Sequence, residues 1–365
     1  MLGSTGTAPQ PPRVAAVGCG HWGKNIARNL ARLGALHSIC EPNVARAEKV
    51  SGEYGVPNRT LGQLLEDSQC EAIALASPAS MHSEHVRRAL GAGKHVFVEK
   101  PLALNVAEGE KLAELALQNS RVLMVGHLLQ YHPHILKLIE LARGGHLGEL
   151  RCIYANRLSP GKLRSEEDVM WSFAPHDISV ILAIMGEMPV RVWAEGNAVL
   201  NSNVIDIASI YMDFGCDVAA RVHVSWISPY KEQKLTVVGS KATAVFDDRA
   251  GWQDKLLVFD HQIVYRDGRP WSLKAQAERF QIEECEPLRE ECAHFLDAIR
   301  SGARPRTDSA EAIRVLAVID AAQRALRRGR SIPVQRTGRR TKDKPPLRVS
   351  DELAMPVSAS LFPEA

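Results

Sequence analysis

The sequence predicts an α/β protein in two parts: a doubly wound parallel sheet, then an α+β domain built on an open, mostly antiparallel sheet. Three observations predict it. Short apolar runs alternate with amphipathic stretches of helical length from Val14 to Val125, the pattern of right-handed βαβ units. Beyond Gly126 strand-like runs follow one another with short links, as in antiparallel sheets. A chain of 365 residues with 45% hydrophobic residues is long enough for two cores.

In order, Val14–Val17 reads as a buried strand, His21–Leu33 as a helix ended by Gly34, and Leu36–Cys40 as a second strand. Val44–Tyr54 reads as a helix, Ala72–Ala76 as a strand, Met81–Ala92 as a helix and His95–Val98 as a strand. Val106–Gln118 is then helical and Val122–Val125 extended. In the second part a helix is expected over Pro133–Arg143, a strand over Leu150–Leu158, and a helix over Pro175–Met185 closed by Gly186. Strands are expected at Val190–Trp193, Ile207–Phe214, Ala219–Trp226, Lys234–Val238, Thr243–Asp247 and Leu256–Val264, then helices at Leu288–Arg300 and Ser309–Arg327. The expected division is a flexible start at 1–12, a first domain at 13–126, a second at 127–334 and a solvated tail at 335–365.

Composition narrows the function classes. There are 45 basic and 42 acidic residues, a formal +3, too slight to suggest nucleic acid as the main partner. The excess is local to the Lys/Arg-rich window from Gln335 to Ser350. Seven scattered cysteines without a CxxC pattern point to free thiols in a reducing cytosol rather than a disulfide framework. No apolar run is long enough for a membrane span, and the polar, Pro-rich start argues against a signal peptide.

The chemistry begins at Gly18-Cys19-Gly20-His21-Trp22-Gly23, a G-x-G-x-x-G run directly after a strand and opening a helix. In that context Gly18 permits the tight turn, Gly20 lets the backbone approach a pyrophosphate, and Gly23 lets helix and strand lie close. The helix N-terminus adds free N–H groups and partial positive charge for phosphates. Glu41, at the end of the second strand, can accept hydrogen bonds from ribose hydroxyls and would repel a 2′-phosphate, which favours NAD over NADP. Arg46 either turns inward and softens that preference or stays on the helix surface. Ser77-Pro78 and His82 stand at a strand's carboxyl end, where ligands lie, although a capped Pro-containing loop reads the same way.

Glu99-Lys100-Pro101 follows the strand His95–Val98. A lysine there can face a nicotinamide and exchange a proton with a substrate hydroxyl; spacing alone equally allows a surface lysine. Together with the glycine loop, the SP…H segment and Trp171-Ser172-Phe173-Ala174-Pro175-His176-Asp177-Ile178, this motif resembles the Gfo/Idh/MocA family of NAD(P)-dependent sugar and polyol oxidoreductases over about Arg13 to Val334.

The resemblance implies a Rossmann domain followed by an α/β domain whose open sheet walls the active site and often carries dimer or tetramer contacts. It implies Lys100 and His176 as catalytic residues, with His176 at a helix N-terminus that would keep its imidazole neutral. Ser172 stands where the family's D-x-x-x-H pattern has Asp; a serine can orient a hydroxyl but cannot balance an imidazolium. NAD would be held by Gly18, Gly20, His21, Trp22, Gly23, Glu41, Arg46, Ser77, Pro78, His82, Glu99, Lys100, Gln130 and Trp171. Substrate would be met by His127, Tyr131, Arg157, Lys162, Arg164, Ser172, His176 and Lys231, with no metal. The stretch from Asn156 to Ser179 resembles the branch that oxidises the C3 hydroxyl of UDP-N-acetylglucosamine, and its basic residues suit a diphosphate. Other sugars, inositol or a UDP-sugar uronic acid are the alternative substrates. NADPH-dependent reduction, or a nucleotide-sensing protein without turnover, are the alternative functions.

Overall fold

The computed structural model describes residues 10–334 except 162, 164–166, 201–202, 216, 262 and 273–274. The first part runs β1 (Val14–Val17), α1 (Gly23–Arg32), β2 (Leu36–Cys40), α2 (Val44–Tyr54), α3 (Leu61–Glu66), β3 (Ala72–Leu75), α4 (His82–Gly91), β4 (His95–Glu99), α5 (Val106–Gln118) and β5 (Leu123–Gly126). Its five strands are parallel in the order β2-β1-β3-β4-β5, so the chain reverses direction across the sheet beside β1. Alternation sends Ala15, Val17, Ile73, Leu75, Val96 and Val98 into one apolar cluster and Val14, Ala16, Ala72, Ala74 and Phe97 into another. Both faces are therefore covered, as the apolar strands require.

After α6 (Pro133–Arg143) come β6 (Leu150–Pro160), α7 (Val169–Met185), β7 (Arg191–Asn197), β8 (Ile207–Asp213), β9 (Ala219–Ser225), β10 (Ile227–Gly239), β11 (Ala242–Asp247) and β12 (Leu256–Asp260). Then follow β13 (Ile263–Arg266), β14 (Arg269–Ser272), β15 (Ala277–Arg279), α8 (Pro287–Ser301), α9 (Ser309–Arg328) and β16 (Ile332–Pro333). Nine of these strands form one sheet, β15-β12-β11-β10-β6-β9-β8-β7-β16, antiparallel except where β6 meets β9. One face packs on α7 and α9; the other leaves alternate residues open, as in β7, where Val192 and Ala194 are buried and Trp193 is not.

Two expectations are corrected and one unexpected helix is found. The run expected as one strand over Leu256–Val264 is two, β12 and β13, and β13 turns at Asp267-Gly268 into the hairpin with β14. The short α3, set by a capping box at Thr60 and Gln63, was not anticipated. Most consequentially, α7 begins at Val169, not Pro175: Asp168 caps it by accepting from the N–H groups of Met170 and Trp171, and Pro175 lies inside the helix. The chain's last helices also return to the first sheet. α8 lays Leu288, Cys292 and Phe295 on the cluster around β1 and β4, and Thr307 O accepts from Val125 N on β5.

Candidate active site

The glycine loop is built by exclusion of side chains. Gly18 has φ +83°, and a Cβ there would sit 2.8 Å from Ala76 O. A Cβ on Gly23 would fall 1.8 Å from Gly18 O, so α1 can lie this close to β1 only without one. At Gly20 nothing but Arg46 comes near, at 4.0 Å; space is left there for a ligand to approach the backbone. Glu41 is buried beside this loop and accepts from Cys19 N at 2.8 Å and Asn43 N at 2.9 Å. Burial pushes its carboxyl upward, but these two N–H groups and Arg46, 3.1 Å away, outweigh burial and hold it below the usual range. Arg46 thus turns toward Glu41. His21 and Trp22 are exposed on the loop, and the Trp22 indole N–H donates to the Glu99 carboxylate. A bare glycine cradle, a helix N-terminus and an ionised carboxylate at the end of β2 fit a dinucleotide.

The loops after β3 and β4 are tied together by His82. Its imidazole lies 2.6 Å from Pro101 O and 2.8 Å from Ser77 O, and it is buried. Burial above all lowers its pKa, against the pull of the two carbonyls. His82 therefore braces the segment carrying Lys100, while Ser77 meets His85 at 3.1 Å and Pro78 is exposed. The Lys100–Pro101 bond is cis.

Lys100 Nζ donates to the backbone carbonyl of Ser172 at 2.7 Å, across 72 residues of sequence. Pro175 has no N–H to give the carbonyl four residues before it, that of Trp171, so this turn of α7 is short of one donor where Lys100 arrives. His176 lies one turn beyond Ser172. Its pKa is held well below 6.5, first by burial and then by the neighbouring charges of Lys100, Arg157 and His127. The neutrality expected for His176 is present, but its cause is corrected: the residue is inside α7, away from the helix N-terminus. The structure thus brings Lys100, Ser172 and His176 together.

Other expected residues are engaged elsewhere. Arg157 holds Asp177 through two bonds of 2.6 and 3.0 Å, both side chains being buried, so its charge is compensated within the protein. Gln130 donates to Ser179 Oγ and Glu311 at 2.8 Å each, and Tyr131 meets Thr307 at 2.9 Å; both are buried. His127 is fixed through Nδ1 to Glu311 at 2.5 Å. Trp171 packs in the apolar core, and Lys231 is exposed on β10. Lys162 and Arg164 lie outside the described residues. Sequence reasoning missed Glu311, Asp177 and Asp168; only the last had a local signal, a cap residue ahead of an apolar run. Among the described residues no cluster suits a metal ion, and the six cysteines are free thiols. No helix among them is long and apolar enough to cross a membrane.

A glycine cradle beside an acidic residue, with a lysine at the end of another strand of the same sheet meeting a helix that carries a neutral histidine, defines an NAD-dependent oxidoreductase. The chain belongs to the Gfo/Idh/MocA family: residues 12–127 match its oxidoreductase model with an NAD-binding Rossmann fold, and 135–245 match its C-terminal domain. It is 27% identical to the UDP-N-acetylglucosamine 3-dehydrogenase of Acidithiobacillus ferrooxidans, over 84% of this chain and 94% of that one. A solved structure of that enzyme superposes with TM-score 0.75, at 26% identity, over 86% of this chain and 97% of that one. The myo-inositol 2-dehydrogenase of Thermotoga maritima is 24% identical over 88% and 98% of the two chains. GenD2 from gentamicin A biosynthesis, solved in complex with NAD, shares the fold at TM-score 0.76 and 20% identity, over 92% and 100% of the chains.

Proposed function

We propose that this enzyme oxidises the C3 hydroxyl of UDP-N-acetylglucosamine, or a close UDP-amino sugar, to the ketone for a later transamination. The observation that carries the chemistry is Lys100 brought to Ser172 and His176 from across the fold. Likeness to the Acidithiobacillus ferrooxidans enzyme over most of both chains supports the substrate. Gly18, Gly20, Gly23, Glu41, Arg46 and Trp22 hold NAD, which when bound supplies the two-electron acceptor. Ser77, Pro78, His21 and His82 complete or brace that groove.

The chain's own residues manage the proton. Lys100 or neutral His176 takes it from the sugar hydroxyl, a transfer worth about 10²–10⁴ in rate. Ser172 orients that hydroxyl, and Arg157 works through Asp177 to fix the turn of α7 that carries His176, leaving Lys231 with Lys162 and Arg164 for the diphosphate. Gln130, Tyr131 and His127 shape the floor between the two layers. The division near Gly126 leaves residues 13–126 as the NAD domain and 127–334 for substrate, with α8 and Thr307 clamping the first sheet. On the open sheet face, Tyr154, Arg221, Tyr211 and Trp193 form one cross-strand row, which supports a homo-oligomer; the free cysteines suit the reducing cytoplasm.

A second reading, inositol or free-sugar oxidation, is favoured by the Thermotoga maritima relative. The test is formation of NADH from NAD with a panel of UDP-sugars, myo-inositol and free hexoses. Turnover of UDP-N-acetylglucosamine at least about tenfold above myo-inositol in kcat/KM, or about 1.4 kcal/mol of discrimination, is expected. Turnover of inositol alone would replace the substrate and keep the chemistry.

A further inference from the structure

Glu291, on α8, is wholly buried, and neither carboxyl oxygen has a hydrogen-bond partner. A buried carboxylate left bare costs far more than any fold tolerates without cause. Its surroundings follow from register. On β4, Phe97 and Glu99 are two residues apart and share a face; on α8, Glu291 and Phe295 are one turn apart and share a face. The Phe97 and Phe295 rings meet at 5.8 Å. That contact brings the far end of the same two faces together, Glu291 toward Glu99. Glu99 itself pairs with Gly126 across β4 and β5, and its carboxyl lies so close over Gly126 that a Cβ there would be 3.1 Å away.

The two carboxyls are unequally supplied. Glu99 receives the Trp22 indole N–H and sits beside Lys100 and His127. Glu291 has Tyr131, Cys292 and Glu99 around it, and among the described residues no cation acts on it. Between two such neighbours the proton stays on the acid without donors.

We propose that Glu291 is a positioning residue: as a neutral carboxylic acid it stands behind Glu99, and through Glu99 it sets the charge beneath Trp22 and Lys100. This rests on the NAD groove described above but not on the identity of the sugar. Burial pushes Glu291 well above the ordinary carboxyl range, with the Glu99 charge adding to it. Glu99 is raised to about 7, chiefly by burial, against the opposing pull of Trp22, Lys100 and His127. Ionised Glu99 attracts a cationic nicotinamide, so NAD affinity rises as pH increases through about 7.

The test uses the full chain and NAD alone, so it stands whichever sugar is turned over. NAD affinity is followed by calorimetry across pH in wild type, Glu291→Gln and Glu291→Leu. Wild type is expected to bind more weakly below the midpoint. Glu291→Gln, which mimics the neutral acid, keeps that midpoint; Glu291→Leu, which puts an apolar side chain behind Glu99 in place of a polar one, moves it upward by about half a unit or more. In parallel, infrared difference spectra of wild type against Glu291→Gln should contain a protonated-carboxyl band at pH above the Glu99 midpoint. A flat wild-type affinity, a Glu291→Leu midpoint equal to wild type, a Glu291→Gln shift as large as that of Glu291→Leu, or a missing infrared band overturns the proposal. If Glu291→Leu does not fold, Glu291→Gln and the infrared band decide it.

Discussion

The glycine loop and the Lys100–His176 site are built by opposite means. The loop is local: Gly18, Gly20 and Gly23 lie within one turn-and-helix unit, and its geometry is fixed by side chains that are missing. The proposed proton-transfer site is assembled from the end of β4 and from the first two turns of α7, with Arg157 of β6 and Glu311 of α9 behind it. The contrast teaches that such an enzyme can carry a stable, locally encoded cofactor grip while its reactivity depends on how two layers meet. Damage to the loop should therefore act on NAD binding, and damage behind α7 on turnover and stability.

The largest expected effect breaks the loop. Gly23→Ala puts a Cβ 1.8 Å from Gly18 O and should lower NAD affinity about 100-fold or more together with thermal stability. Gly20→Ala, with no protein atom nearer than 4.0 Å, should weaken NAD binding while leaving the melting temperature within about 1 °C. Parallel calorimetry and thermal melts separate these outcomes; equal melting losses in the two variants would mean that Gly20 serves the fold and not the ligand.

A smaller effect sharpens the other side. Asp177→Asn leaves the buried Arg157 guanidinium without its carboxylate and should cost about 3 kcal/mol of stability. It should lower kcat by about tenfold, because His176 is the preceding residue on α7, and leave NAD affinity within about twofold. A variant with unchanged kcat would detach the ion pair from the chemistry.

Legibility in the sequence divides along the same line. The parallel sheet and the glycine loop were readable because apolar periodicity and glycine spacing are local signals; β1, β2, α2 and α5 match their expected bounds. Trp22 on the loop and Glu41 at the end of β2 lie where their spacing put them. The start of α7 was misplaced because proline at a helix's first turn is the commoner arrangement, whereas here Asp168 caps earlier and Pro175 is interior. The partners of Arg157 and His127, Asp177 and Glu311, lie 20 and 184 residues away, and no periodicity reports such pairs. Gln130 and Tyr131 were expected at the site from the family resemblance; the Gln130 amide N–H groups are taken by Ser179 and Glu311 and the Tyr131 hydroxyl by Thr307.

The most direct measurement compares wild type with Lys100→Ala for NAD affinity and for turnover of whichever sugar the panel identifies. A fall in kcat of about 10²–10⁴ with NAD affinity held within about threefold is the predicted result, since proton transfer and cofactor grip are separate assemblies. Turnover in Lys100→Ala close to wild type, or a loss explained wholly by failure to bind NAD, would contradict the role given to Lys100.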